Sequence, residues 1–273
     1  MILSYSTAEL IPYINWVYFF YAWGLKNYEQ DTAKEQEAQQ LKQDALHTLQ
    51  SMEKKTQIRS LFRILEANSE EDDLWIEGLR FPLLRQQSPS KPNTPCLCLS
   101  DFIRPRSQGI ADHIGIFASS VILENENQYQ KTDPYQHLLI QTLSDRLAEA
   151  ATEKMHQYVR KIAWGYAPEE DLSIPDLLMN KFQGIRPAVG YPSLPDQSIN
   201  LLLDQLIQMH QIGITLTENG AMHPHASVSG LMFAHPAARY FNIGKIGTDQ
   251  LRDYAERRGI SLEEMKKFLP NHF

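Results

Sequence analysis

The stretch Ile114–Leu123, IGIFASSVIL, is short, apolar and bounded by turn-forming residues, which predicts a β-strand. Two other runs read the same way, LWIEGL at 74–79 and CLCLSDFI at 96–103. Between them Gln86–Pro95, QQSPSKPNTP, is polar and proline-rich and reads as a loop. Outward from this centre the periodicity changes. From Tyr135 to Trp164, Leu139, Leu143, Leu147, Ala151, Met155, Val159 and Ile162 recur every three or four residues, the spacing of a helix with one apolar face; the roughly twenty-four residues of this stripe make about 36 Å. On the other side, Asp31 to about Glu66 is polar and punctuated by Ala38, Leu41, Ala45, Leu49 and Met52, which predicts another long helix.

A further helix is expected after Pro195-Asp196, carrying Leu202, Leu203 and Leu206 and stopping at Gly213. Strands are expected at ITLTE (214–218) and SVSGLMF (227–233). Two short helices close the chain, Thr248–Gly259 and one opened by the capping box Ser261-x-x-Glu264. Strands gathered between flanking helices, without regular βαβ alternation, indicate an α+β arrangement with an antiparallel sheet. The opening segment IPYINWVYFFYAWGLK (11–26) holds most of the eight aromatic residues between Tyr13 and Tyr28 and reads as a buried or interfacial element.

Composition narrows the function classes. The chain has 273 residues, 42% apolar and 22% charged, enough for a sizeable core. A net charge of −7 argues against a protein whose main work is neutralising phosphates. The C-terminal Thr248–Phe273 resembles a helix-turn-helix only superficially, because five basic residues are balanced by five acidic ones. No apolar run is long enough to span a bilayer, and the N-terminus lacks the features of a secretory signal, so no nucleic acid and no membrane are expected and the protein reads as cytoplasmic. Cys96 and Cys98, one residue apart, read as two residues on one face of a strand rather than a disulfide or metal site. Neither a Gly-x-Gly-x-x-Gly, a phosphate-binding loop, a Gly-x-Ser-x-Gly elbow nor a His-Glu-x-x-His motif is present.

Three segments could carry chemistry. GIRPAVGYPSLPDQ (184–197) has three prolines, two glycines and few apolar anchors and reads as a rigid extended loop, expected to present unused backbone amides and carbonyls. It holds Arg186, whose planar fork suits a carboxylate, and Tyr191. The competing reading is a structural loop whose arginine pairs with a nearby acid. MHPHASVSGLMFAHPAARYF (222–241) flanks a strand with His223, His225 and His235, a set without the further ligands of a metal site, and ends in Tyr240-Phe241, which could wall an adenine or sit in the core. Glu149 lies nearly opposite the apolar stripe of its helix, which favours a solvated surface residue unless that face lines a cleft.

RPAVGYPSLPD (186–196) resembles the R-P-A-x-G-Y-P-x-x-P-[DE] signature of the activation domain of cobalamin-dependent methionine synthase. PYINWVYFFYAW (12–23), ADHIGIFA (111–118), DRLAEAATEKMHQYVRKIAWGYAPEE (145–170), ASVSGLMFAHPAARYF (226–241) and DYAERRGISLEEMKKFLP (253–270) resemble further segments of that domain, in the same order. The resemblance implies a single C-shaped α+β domain over residues 1–273, with a curved antiparallel sheet flanked by helices. It implies S-adenosylmethionine as ligand, a partner module carrying cobalamin, and a flavodoxin-like electron donor, in a reductive methylation that returns cob(II)alamin to service. It also implies roles for residues. Arg186 would hold the ligand carboxylate, Tyr191 and the backbone of Ala188 and Gly190 would lie beside the ligand, Glu149 would face the sulfonium, and Tyr240 and Phe241 would wall the adenosyl end. Asn15 stands where relatives carry an aspartate toward the ligand ammonium, which implies weaker binding here, and Asn180 stands where relatives can carry an acid. Methyl transfer from a sulfonium needs no general base, which agrees with the missing triad. The chain carries no Asp-x-His-x-x-Gly motif and cannot make methionine alone, so the expectation is action on a separately encoded synthase core. The alternatives are a non-catalytic S-adenosylmethionine sensor, an activase of another corrinoid methyltransferase, or a module with structural duties only.

Overall fold

The computed structural model describes residues 1–89, 92–124 and 133–269. Two residues of the expected 86–95 loop and the end of the last family-like segment lie outside these.

The sheet is antiparallel and six-stranded. Its spine is β2 (Thr56–Glu70) paired along its length with β5 (Asp112–Leu123), with Ile64 opposite Gly115 and Phe62 opposite Phe117. On its other edge β2 carries β1 (Ile2–Tyr5) and then β3 (Asp73–Ile76), which turns into β4 (Leu79–Pro82). Beyond β5 lies β8 (Ser227–Met232), giving the order β4-β3-β2-β5-β8. A separate two-stranded ribbon joins β6 (Thr215–Leu216) to β7 (Met222–His223). This is the α+β antiparallel architecture expected, in a curled half-barrel sheet flanked by helices.

Because strand side chains alternate in direction, neighbouring residues feed different cores. Leu61, Leu65, Ile116 and Leu231 pack on one face, with the C-terminal helices α7 (Thr248–Arg258) and α8 (Leu262–Phe268). Phe62, Phe117 and Met232 pack on the other, under Met155 of α4 (Pro134–Tyr158) and Val159 just beyond its end. Alongside α4 lie α1 (Thr7–Leu10), α2 (Trp16–Ala22) and α3 (Thr32–Met52). Each long helix is capped by an aspartate. Asp31 accepts from the amides of Ala33 and Lys34, and Asp133 from that of Tyr135, with Pro134 at the first helical position.

Five expectations change. LWIEGL is a hairpin rather than one strand, because Glu77 and Gly78, both at positive φ, turn β3 back into β4. The helix expected from Asp31 toward Glu66 ends at Met52, and the residues beyond Thr56 form the longest strand of the sheet. Ile58, Leu61, Phe62 and Leu65 sit at i, i+3, i+4 and i+7, the helical template, and this hid the strand. CLCLSDFI is no strand: Cys98 makes a lone bridge to Arg85, and Leu99–Phe102 is a 3₁₀ turn. Cys96 and Cys98 are free thiols but not strand neighbours. Arg85 holds this segment by bonding Cys96 O at 2.8 Å and the Asp101 carboxylate at 2.7 and 2.8 Å. Finally, α4 runs into a π-helical turn, Val159–Ala163, whose wider winding rotates Ile162 off the apolar stripe, leaving it 66% exposed.

The helix expected after Asp196 is α6 (Ile199–Ile207), following the short α5 (Ile174–Leu178) and continued by a 3₁₀ turn, Met209–Ile212, to Gly213. Of the expected box at Ser261, the serine half is present, Ser261 accepting from the Glu264 amide at 3.2 Å. No helix among the described residues is long and apolar enough to cross a membrane.

Candidate functional site

A cleft of about 680 Å³ opens between α2, α4 and the loop 186–193. That loop is less free than its sequence suggested. Residues 185–189 run antiparallel beside β8: Ile185 and Phe233 exchange both backbone bonds, Leu231 N donates to Pro187 O at 3.1 Å, and Val189 N donates to Ser229 O at 2.9 Å. The segment is an irregular extra edge of the sheet, because a chain with prolines at 187 and 192 cannot complete a regular ladder. Gly190, at φ 86°, then turns the chain into Tyr191 while its amide donates to Leu194 O. Asp196, the last residue of the motif, is buried away from the cleft. It accepts from Ser198 N and from the Tyr254 hydroxyl, and so ties the loop to α7.

One wall comes from α4. Arg146, Glu149 and Glu153 lie at i, i+3 and i+7, hence on one face, and all three line the cleft. Glu149 accepts from the Tyr191 hydroxyl and from Arg146 Nη1, each at 2.9 Å. Arg186 crosses to Glu153, donating from Nη2 to Oε2 at 2.7 Å, with both side chains nearly buried. Its guanidinium also lies 5.8 Å from the Phe117 ring centre. Burial opposes the Arg186 charge, yet Glu153, Tyr240 and Glu149 together hold its pKa above the ordinary arginine value. Tyr191 is pushed up to about 12, by burial first and then by the Glu149 carboxylate.

The far end is aromatic. The Arg186 amide donates to the Tyr240 hydroxyl at 2.9 Å, and Phe241 is buried against Phe102. Burial raises the Tyr240 pKa and the Arg186 charge partly offsets it. Tyr13, Asn15 and Tyr18 form the remaining rim, where Asn15 caps α2 by accepting from Tyr18 N at 3.4 Å. Three buried polar atoms of these walls lack a protein partner: Arg146 Nε, Arg186 Nε and Glu153 Oε1. Unpaired buried polar atoms are costly, and together they mark a place where a polar ligand fits.

Of the residues singled out from sequence, Asn15, Glu149, Arg186, Ala188, Tyr191, Tyr240 and Phe241 converge on this cleft, with Asn180. Gly190 shapes the loop but is not part of the lining. Glu149 faces the cleft rather than bulk solvent. Both readings of Arg186 meet in one side chain, which pairs with an acid and keeps a donor spare. His225 contacts Asp145 at 3.3 Å and His235 accepts from Ala237 N, away from the cleft. The sequence reading missed Glu153, Arg146, Tyr13 and Tyr18. Its available signal was a polar stripe, Arg146, Glu149, Glu153, His156 and Arg160, running at i, i+3, i+7, i+10 and i+14 beside the apolar one. The inner end of that stripe is buried. Arg160 binds Glu170 through two hydrogen bonds, at 2.7 and 2.8 Å, and His156 Nδ1 at 2.8 Å, while stacking on Phe182. Burial, then the charges of Arg160 and Arg186, push the His156 pKa well below its usual value, so it stays neutral.

A curled antiparallel sheet with an open cleft of paired guanidinium and carboxylate groups, flanked by aromatic rings, is the frame of a domain whose cleft has the size and polarity to suit a small polar molecule. More particularly, the chain belongs to the family of the vitamin B12 dependent methionine synthase activation domain, whose model matches residues 6–259. It is also similar to a MetH reactivation domain solved in a crystal bound to AdoHcy, with a TM-score of 0.91 and 35% identity over 100% of this chain and 90% of that one.

Proposed function

We propose that the cleft binds S-adenosylmethionine and presents it to a cobalamin carried by a partner module of methionine synthase, supporting reductive methylation of cob(II)alamin. The observation that carries this reading is the nearly buried Arg186, which lines the cleft, is anchored on Glu153 and has one N–H, at Nε, without a partner. An arginine so placed suits the carboxylate of an amino-acid ligand. The AdoHcy held by the similar reactivation domain is a ligand of this kind. Bound S-adenosylmethionine supplies an electrophilic sulfonium methyl group.

The residues of this chain bind and orient. Arg186 takes the carboxylate, and the Glu149 carboxylate offsets the sulfonium charge. Tyr240 and Phe241 flank the adenosyl end, and Ala188 and Tyr191 complete the pocket floor. Tyr191 remains a neutral phenol at physiological pH and holds Glu149 in place by its hydrogen bond. The chemistry asks for position and desolvation rather than proton transfer.

The test is reactivation. Synthase core in the cob(II)alamin state is mixed with flavodoxin and S-adenosylmethionine, with or without this chain. The methylcobalamin spectrum and turnover should return only when it is present. Equal recovery without it overturns the proposal.

A further inference from the structure

The formally charged side chains of the cleft lining are two arginines and two carboxylates, paired off within the wall. Glu153 is bound by Arg186. Glu149, the acid that the S-adenosyl reading sets toward the sulfonium, receives the Tyr191 hydroxyl on Oε1 and Arg146 Nη1 on Oε2, each at 2.9 Å. The Arg146 side chain is only 18% exposed, so its charge stands beside Glu149 with little solvent to screen it. Asp145, which precedes it, pairs with His225 at 3.3 Å and is not part of the lining. Asn15 and Asn180 line the cleft without adding charge. The lining is therefore close to electroneutral.

We propose that Arg146 is the specificity-determining residue that makes this cleft accept S-adenosylmethionine and AdoHcy almost equally. The inference rests on the S-adenosyl reading of the cleft. The two molecules differ by one methyl group and one positive charge, both on sulfur. The methyl has to stay open toward the partner's cobalt, so it gains little contact with the walls, and charge is left to tell the ligands apart. A lone carboxylate facing the sulfur in a cleft of this depth favours the sulfonium by roughly tenfold or more. Glu149 already shares its charge with Arg146, and most of that preference is cancelled. When the methyl carbon passes to the cobalt, the electron pair of the broken bond stays on sulfur, and the product is a neutral thioether. That product remains a near-equal competitor, so reactivation follows the ratio of the two ligands rather than the amount of the methyl donor alone.

The experiment is isothermal titration of the chain with S-adenosylmethionine and with AdoHcy, read as the ratio of the two dissociation constants. The wild-type constants should lie within about fivefold of each other. Arg146→Gln frees the Glu149 charge and should move the ratio toward S-adenosylmethionine by at least about fivefold. Glu149→Gln leaves Arg146 alone and should move it toward AdoHcy, and the double variant should return to within about fivefold of equality. A residue that serves packing alone shifts both affinities together and leaves the ratio fixed. A wild type that separates the ligands by more than about fivefold overturns the proposal without any variant. So does an Arg146→Gln protein whose ratio shifts by less than about fivefold or moves toward AdoHcy. Wild-type protein that binds neither ligand removes the underlying S-adenosyl reading itself, a different failure from binding both with a clear preference.

Discussion

Gly230→Ala is expected to damage the cleft by displacing the loop that carries Arg186. Gly230 sits in β8 directly behind that loop, bridging to Ala188. A Cβ there would collide with the Pro187 carbonyl oxygen, and would lie 2.9 Å from Ala188 Cα and 3.0 Å from Phe117 Cε1. Two of those neighbours are backbone atoms, so no rotamer change relieves the overlap. Overpacking of this kind costs about 1–3 kcal/mol. If the loop lifts instead, the bonds from Leu231 N to Pro187 O and from Val189 N to Ser229 O are lost, at about 0.5–1.5 kcal/mol each. Either route costs about 1–3 kcal/mol, or at least about 2 °C in melting temperature for a chain of this size. Urea unfolding with an unchanged slope and calorimetric scanning would measure it, and AdoHcy titration would report the loop. A Gly230→Ala protein that melts with the wild type and binds as tightly would refute the idea that close approach of loop and strand positions the cleft.

Four further outcomes follow from the same geometry. Glu170→Gln breaks the buried pair with Arg160 and should destabilise by roughly 3–5 kcal/mol in denaturant unfolding, since it strands a buried guanidinium. His156 is neutral when folded and has its pKa pushed down by burial, Arg160 and Arg186, so its share of stability is present above about pH 6.5 and is lost as pH falls below that value; His156→Gln should flatten this acid limb in pH-dependent melting. Tyr191, raised to about 12, contributes stability that is full below pH 10 and fades as pH climbs from 10 toward 12; absorbance titration should count one fewer late phenolate in Tyr191→Phe than in the wild type. Asn15→Asp keeps the cap on α2 and adds a charge at the rim, so stability should hold while AdoHcy affinity rises by roughly fivefold in titration calorimetry.

What could be read without coordinates follows the periodicities. The α4 stripe from Leu139 to Met155 is buried as expected because helix and core agree there, and it fails only at Ile162, where the π turn changes the winding. The strand at Ile114–Leu123 was legible because it is covered on both faces. β2 was not, because its apolar residues mimic a helical stripe while Arg59, Arg63 and Glu66 interrupt any alternation. In the cleft, the proline-rich loop announced Arg186 and Tyr191, but the partner Glu153 came from a helix thirty-three positions away, and only tertiary packing joins them. Glu149 and Glu153 carry the same residue type on the same helical face, so nothing local distinguishes the satisfied carboxylate from the one with an oxygen to spare.

A crystal of this chain grown with S-adenosylmethionine addresses the function most directly. Density for the nucleoside should fill the cleft between α2 and α4, with its amino-acid end against Arg186 and its rings beside Tyr240 and Phe241. An empty cleft at saturating nucleoside, or a molecule seated with its amino acid away from Arg186, would contradict the account.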